Sequence, residues 1–193
     1  MHTSRRTVTA LLLLLAAAVP GVSDADPALK PRSSHRTAPP LELLDLAGKR
    51  HALDAYRGRV VLVNFFGTWC PPCLQEMPSL LLLAKALEGR PFAVLAVAIG
   101  DSPARLRQVF GEQRAGFTVL LDSTGRAARS WQALAFPTSF VLDPEGRIRY
   151  SAEGPVAWDD PEVARQIAAL LPKLPARAAE SGKASQPAVP RSD

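Results

Sequence analysis

Three stretches in the middle of this chain are apolar almost without interruption and rich in strand-forming residues. Residues 60–66 (VVLVNFF) and 92–99 (FAVLAVAI) are rich in β-branched and aromatic side chains, and 117–121 (FTVLL) is a shorter run of the same kind. Continuous rather than alternating hydrophobicity predicts strands covered on both faces. Between them the period changes. From Pro72 to about Gly89, Leu80, Leu83, Ala84 and Leu87 fall on one helical face, Leu81 and Leu82 widen it, and Gly89 supplies a stop. Ser102-Pro103 sets a capping hydroxyl before a first-turn proline and predicts a helix to about Gln113. A short helix is expected to run to about Leu134.

Residues 138–142 and 147–151 then flank Asp143-Pro144-Glu145-Gly146, which suits a hairpin turn, and Asp160-Pro161-Glu162 opens a last helix to about Leu171. Upstream, apolar runs on either side of Ala47-Gly48 predict a lead-in hairpin. Strands alternating with helices, followed by an antiparallel hairpin and a closing helix, predict an α/β fold. Its central mixed β-sheet is flanked by helices and carries an N-terminal β-hairpin.

The two ends read differently from the middle. A short basic lead, the apolar run 8–19 and the small residues of Ser23-Asp24-Ala25 have the layout of a secretory signal peptide. The run is short of the ~20 residues a membrane span needs, so cleavage of 1–25 is expected ahead of retention as an anchor. The expected location is the periplasm. Residues 26–38 are polar and proline-containing and read as a linker, 39–174 as a single domain, and 175–193 as a disordered tail. At 47% hydrophobic and 21% charged, the chain has a globular balance rather than a disordered one. Its net charge of +5 comes from scattered arginines with no block interleaved with aromatics, so nucleic acid is not an expected partner. A monomer is expected.

The only two cysteines, Cys70 and Cys73, lie in NFFGTWCPPCLQEMP, residues 64–78. They could be a redox couple, half of a metal site or a structural staple. A staple between residues three apart closes a tiny loop, where loop-closure stabilisation is weakest. Cys70 directly follows a buried strand and opens a helix, where unpaired first-turn N–H groups and the helix dipole favour a thiolate. Pro71 and Pro72 fit the first turn, which has no intrahelical donor to lose. Cys73, one turn on, could attack a sulfur bonded to Cys70, as dithiol–disulfide exchange requires.

These residues, VVLVNFFGTWCPPCLQEMP together with FPTSFVLDPEGRI, resemble the thioredoxin-like superfamily. Within it they resemble most the exported TlpA/ResA-type thiol–disulfide oxidoreductases, over about residues 39–172. The resemblance implies an enzyme whose attacking cysteine is Cys70 and whose resolving cysteine is Cys73, with no cofactor beyond a redox-active Cys70–Cys73 disulfide. It implies a cis-proline at Pro137 beside the disulfide, with Phe136 offering its backbone to a substrate segment. Trp69, Pro71 and Pro72 would complete the substrate-binding surface. Pro78 matches a proline inside the active-site helix, and Glu76 an acidic residue that would perturb thiol titration or pass a proton. Asn64 stands where thioredoxin has a buried Asp, so a proton-accepting role falls to Glu76. The implied partners are client protein disulfides and a membrane thiol electron donor, with reduction as the preferred direction and cytochrome c maturation as a setting. Disulfide oxidation or isomerisation is the alternative direction.

Other chemistries fit less well. A zinc site needs about four ligands, whereas the three histidines are His2, His35 and His51 and none follows residue 51. A Cu(I) carrier using the two thiolates is the alternative from another class. The peroxiredoxin pattern Thr-x-x-Cys is absent, since Thr68 is two residues before Cys70. Trp158 reads as a packing residue, Thr68 as structural, and Asp101 and Asp122 as caps or turns at strand ends.

Overall fold

The computed structural model describes residues 29–32, 36–111 and 116–173. The expected signal peptide, 1–25, and the expected tail, 175–193, lie outside the described residues. Among the described residues, eight strands form one sheet: β1 Lys30–Pro31, β2 Glu42–Asp45, β3 Arg50–Ala52, β4 Val60–Phe66, β5 Phe92–Ile99, β6 Thr118–Asp122, β7 Thr138–Leu142 and β8 Ile148–Glu153. Four α-helices among the same residues accompany them: α1 Pro71–Ala86, α2 Pro103–Phe110, α3 Arg126–Ser130 and α4 Pro161–Ala168. The strand order is β1-β8-β7-β4-β5-β6-β2-β3. β4 pairs parallel with β5, β5 with β6, and the remaining neighbours are antiparallel, so the sheet is mixed as expected. No helix among the described residues is long and apolar enough to cross a membrane.

β4 is buried at every position and sits at the centre of the order. Its alternation divides the core. Val60, Leu62 and Phe66 join one cluster with Met77, Leu80 and Leu83 of α1 and Val163 and Ile167 of α4. Val61, Val63 and Phe65 join the opposite cluster with Trp131, Leu120 and Phe140. The same parity turns Asn64, the one polar residue of the strand, toward α1.

Several boundaries differ from the sequence expectation, each for a local reason. α1 begins at Pro71 rather than Pro72, with Cys70 as its N-cap. α2 stops at Phe110 because Gly111 takes a φ of 73°, the left-handed region that ends helices. α4 stops at Ala168 because the amides of Leu170 and Leu171 turn to the carbonyls of Ile167 and Ala168, three residues back. The lead-in hairpin forms, but β2 also pairs with β6, so the hairpin extends the main sheet rather than standing apart. A 3₁₀ turn, Leu53–Tyr56, which the hydrophobic pattern did not indicate, leads from it to β4. Within the segment read as a linker, Lys30–Pro31 pairs with Ser151 and Tyr150 of β8, and Leu29 is buried. Thr37 also bridges to Arg147 and Ala38 is buried, so these parts of the segment belong to the sheet and core: isolated apolar side chains and backbone pairings suffice, and neither leaves a periodic trace in a polar, proline-bearing stretch.

Candidate active site

The buried strand β4 delivers the chain through Gly67-Thr68-Trp69 to the N-terminus of α1, and two braces hold that connection. Asp101, just beyond β5, accepts from the Thr68 amide at 2.8 Å and from its hydroxyl at 2.5 Å, with both residues buried. The Trp69 indole lies back over Gly67, so closely that a Cβ there would come within 2.5 Å of the ring. Its Nε1 donates to the Ile99 carbonyl at 3.1 Å. Trp69 is therefore 57% exposed yet fixed in orientation.

Cys70 and Cys73 are joined by a disulfide with Cα atoms 5.3 Å apart. Cys70 occupies the N-cap position, and its Sγ accepts from the Cys73 amide at 3.3 Å. Pro71 and Pro72 fill the first two helical positions and have no N–H to offer. Of the amides that normally serve a capping atom, only that of Cys73 therefore points at the sulfur. The two cysteines differ in access: Cys70 is 6% exposed and Cys73 0%, so an incoming sulfur meets Cys70. Across the site the Phe136–Pro137 peptide is cis, and the Phe136 carbonyl oxygen lies 3.7 Å from Cys70 Sγ. Pro78 falls inside α1 as anticipated, on an exposed face.

Glu76 is one helical turn beyond Cys73, and it is buried. Its Oε1 accepts from Asn64 Nδ2 at 2.7 Å. Its Oε2 accepts from the Val156 amide at 3.0 Å and from Trp158 Nε1 at 3.3 Å. Burial pushes the carboxyl above its ordinary range, and the donors from Val156, Asn64 and Trp158 oppose that without cancelling it. Oε2 already takes two donors and Oε1 one, so the open lone pair, where a proton would reside, is on Oε1.

The structure thus gathers Trp69, Cys70, Pro71, Pro72, Cys73 and Glu76 along one loop and helix, and sets Phe136 and Pro137 opposite them. Trp69 and Phe136 meet edge to face at 5.6 Å between ring centroids. Sequence reasoning missed three participants. Ser139 lies opposite Asn64 in the β4–β7 register and accepts from its second amide hydrogen at 2.9 Å; its role depends on that register, which the sequence does not state. Trp158 packs in the core as expected but also holds the carboxyl. Leu134, 78% exposed in the loop before the cis-proline, presents an apolar side chain to solvent; a leucine three residues before Pro137 was the available signal. Thr68 and Asp122 keep the structural roles expected of them, Asp122 accepting from the Ala128 amide. His51 is taken up in the lead-in hairpin between Tyr56 and Asp45. Among the described residues, no group of three or more His, Cys, Asp or Glu is placed to hold a metal.

A disulfide-forming pair at a helix cap, set beside a cis-proline at one end of a central mixed sheet, is built for sulfur exchange. The protein is a thioredoxin-fold thiol–disulfide oxidoreductase. It belongs to the AhpC/TSA family, whose sequence pattern matches residues 35–151. It is 31% identical over 124 residues to the thiol-disulfide oxidoreductase ResA of Geobacillus thermodenitrificans (strain NG80-2), covering 64% of this chain and 71% of that protein. Among solved structures it resembles a thiol:disulfide interchange protein of the thioredoxin family from Chlorobium tepidum TLS. That match has a TM-score of 0.60 and 25% identity, covering 72% of this chain and 97% of the other. It also resembles the pneumococcal exposed lipoprotein thioredoxin Etrx1 of Streptococcus pneumoniae strain TIGR4, with a TM-score of 0.59 and 25% identity, covering 68% and 100%.

Proposed function

We propose that this oxidoreductase is an exported reductase of protein disulfides. The observation that carries the direction is the Pro71-Pro72 cap. A thioredoxin-fold couple becomes oxidising when its reduced form is stabilised, chiefly through the thiolate. Here only the Cys73 amide reaches Cys70 Sγ, so the thiolate receives one backbone donor where a non-proline residue at 72 would add another. The dithiol is left less stabilised and gives up its electrons more readily.

In the proposed cycle the Cys70 thiolate attacks a client disulfide. A Cys70–client S–S bond forms, the client S–S bond breaks, and the departing client thiolate takes a proton. The Cys73 thiol passes its proton to Glu76 Oε1, and its thiolate attacks Cys70 Sγ. The Cys70–Cys73 disulfide forms, the second client thiolate leaves, and two electrons have moved to the client. A dithiol protein of the membrane restores the reduced pair by the reverse exchange. Trp69 and Phe136, in edge-to-face contact at the site, and the exposed Leu134 two residues before Phe136 offer apolar side chains to the client segment.

The basic-apolar-small layout of residues 1–25 supports export, as does likeness to a relative described as an exposed lipoprotein. Cytochrome c maturation is a setting in which such a reductase would act, keeping haem-attachment cysteines reduced. The reductase reading is tested by equilibrating the protein with a dithiothreitol redox buffer. A potential nearer the thioredoxin value of about −270 mV than the about −120 mV of strong oxidants is expected, and the latter would reverse the direction. Cys70→Ala should abolish exchange and Cys73→Ala should trap mixed disulfides with clients.

A further inference from the structure

We infer that Trp158 is a positioning residue for the proton-exchanging carboxyl. Its indole N–H and the Val156 amide together saturate Oε2 of Glu76, which confines proton exchange to Oε1. The inference deepens the proposed exchange mechanism by assigning a role to the segment between β8 and α4.

That segment is strapped down by alternate N–H groups, one reaching the cis-proline loop and two reaching α1. The Gly154 amide donates to the Pro137 carbonyl at 2.8 Å, the Val156 amide to Glu76 Oε2 at 3.0 Å, and the Trp158 amide to Ser79 Oγ at 3.2 Å. Ser79 Oγ itself donates within the same junction, to the Glu76 carbonyl at 2.9 Å. One strap therefore ties the cis-proline loop to α1 at two successive turns. With its backbone pinned by Ser79 and its ring fully buried, Trp158 has its indole N–H fixed 3.3 Å from Oε2. A buried indole N–H needs an acceptor, which any carbonyl oxygen could supply. Aiming its one polar atom at a buried carboxylate goes beyond packing.

The consequence follows from counting lone pairs. A carboxylate with Oε2 doubly occupied accepts a proton on Oε1 alone. Without the indole, either oxygen could take it, and the ionised form would lose a charge-assisted bond. The groups that bear on Glu76 from the elements packed against it are Asn64 of β4, backed by Ser139 of β7, together with Val156 and Trp158 of the strap. None is charged. On α1 itself, the titratable neighbours are the Cys70 and Cys73 thiols that reduction releases. The indole is thus one of three donors favouring the ionised carboxyl against the pull of burial.

The test is the titration of Glu76 in the oxidised protein, read from the carboxyl carbon of 13C-labelled glutamate and assigned with Glu76→Gln. No client is present, so the result stands whether or not the reductase direction holds. In Trp158→Phe the midpoint should rise by about one pH unit, as loss of one bond to a charged group implies. Because phenylalanine also leaves space, the same titration is run with 3-benzothienylalanine at 158, which keeps the shape of tryptophan and lacks the N–H. A similar rise there supports the role. An unshifted midpoint with the isostere, whatever Trp158→Phe does, overturns it and returns Trp158 to packing alone.

Discussion

Asn64 Nδ2 reaches from the central strand to Glu76 Oε1 on the active-site helix at 2.7 Å, joining two buried polar side chains. The amide supplies a donor and no charge. Changing Asn64 to Asp replaces that donor with a second carboxyl at hydrogen-bond distance, and the two acids must then share a proton. The pair should titrate in two steps, the upper one above the Glu76 midpoint of the wild type. Stability should match the wild type at low pH and fall as pH rises through that upper step. The loss relative to the wild type should be about 1.4 kcal/mol for each unit by which the upper step exceeds the wild-type Glu76 midpoint, measured from urea unfolding of both proteins in acid and alkaline buffers.

Glu76 itself makes stability depend on pH in a definite direction. Its folded pKa is raised above the ordinary value of 4.5, so the folded state holds a proton that the unfolded state has released. Its contribution is therefore fully present below that ordinary value and is lost as pH rises through the raised folded one. Asp143, held below the usual carboxylate range against the pull of burial by Arg147 and Arg149, acts in the opposite sense and in a more acidic window. Subtracting the denaturation midpoints of Glu76→Gln from those of the wild type, from pH 4.5 upward, isolates the first effect. The difference should decline with pH, and a rise would contradict the buried-acid account.

How much of this was legible beforehand depended on whether a signal was local. Val60–Phe66 announced a central strand because covering on both faces leaves no polar alternation to interpret, and Cys70 at a helix cap follows from strand, cysteine and proline in direct succession. Pairings across the sheet were not local. Ser139 faces Asn64 only because β7 runs antiparallel to β4 in one register, and Trp158 reaches Glu76 from 82 residues away. The burial of Leu29 belongs with them, since a single apolar residue among polar neighbours has no period to detect. Glu76 was visible as a residue near the thiols. That it would be buried with three donors could not be inferred, because helical spacing alone does not say which face the sheet covers.

The prolines of the cap make a separate prediction. Pro72 occupies the second helical position, whose amide commonly bonds to a capping atom. Pro72→Ala restores that donor opposite Cys70 Sγ without altering the cysteines. The Cys70 pKa should fall by about one unit, the scale of one hydrogen bond to a charged group. The reduction potential should rise by up to about 30 mV, a tenfold change in the two-electron equilibrium. Absorbance of the thiolate near 240 nm during a pH titration, with equilibration in a redox buffer, measures both. A variant as reducing as the wild type would remove the cap as the basis for the proposed direction.

Leu134 offers a way to separate client docking from sulfur chemistry. It stands 78% exposed in the loop that leads into the cis-proline, whereas the sulfur chemistry involves Cys70, Cys73 and Glu76. A client cysteine carried in an apolar segment gains from covering Leu134 and the edge of Trp69, while a small disulfide such as hydroxyethyl disulfide reaches Cys70 without touching either. Leu134→Ser should therefore lower kcat/KM for a disulfide peptide with apolar flanks by about tenfold, the effect of losing most of one leucine's burial. The small disulfide should be reduced at nearly the wild-type rate, and a matched peptide with charged flanks should lose little. Equal losses on all three would mean that the substitution disturbs the cis-proline loop rather than a docking surface. No loss on the apolar peptide would place the client elsewhere, on the exposed faces of Pro71 and Trp69 alone.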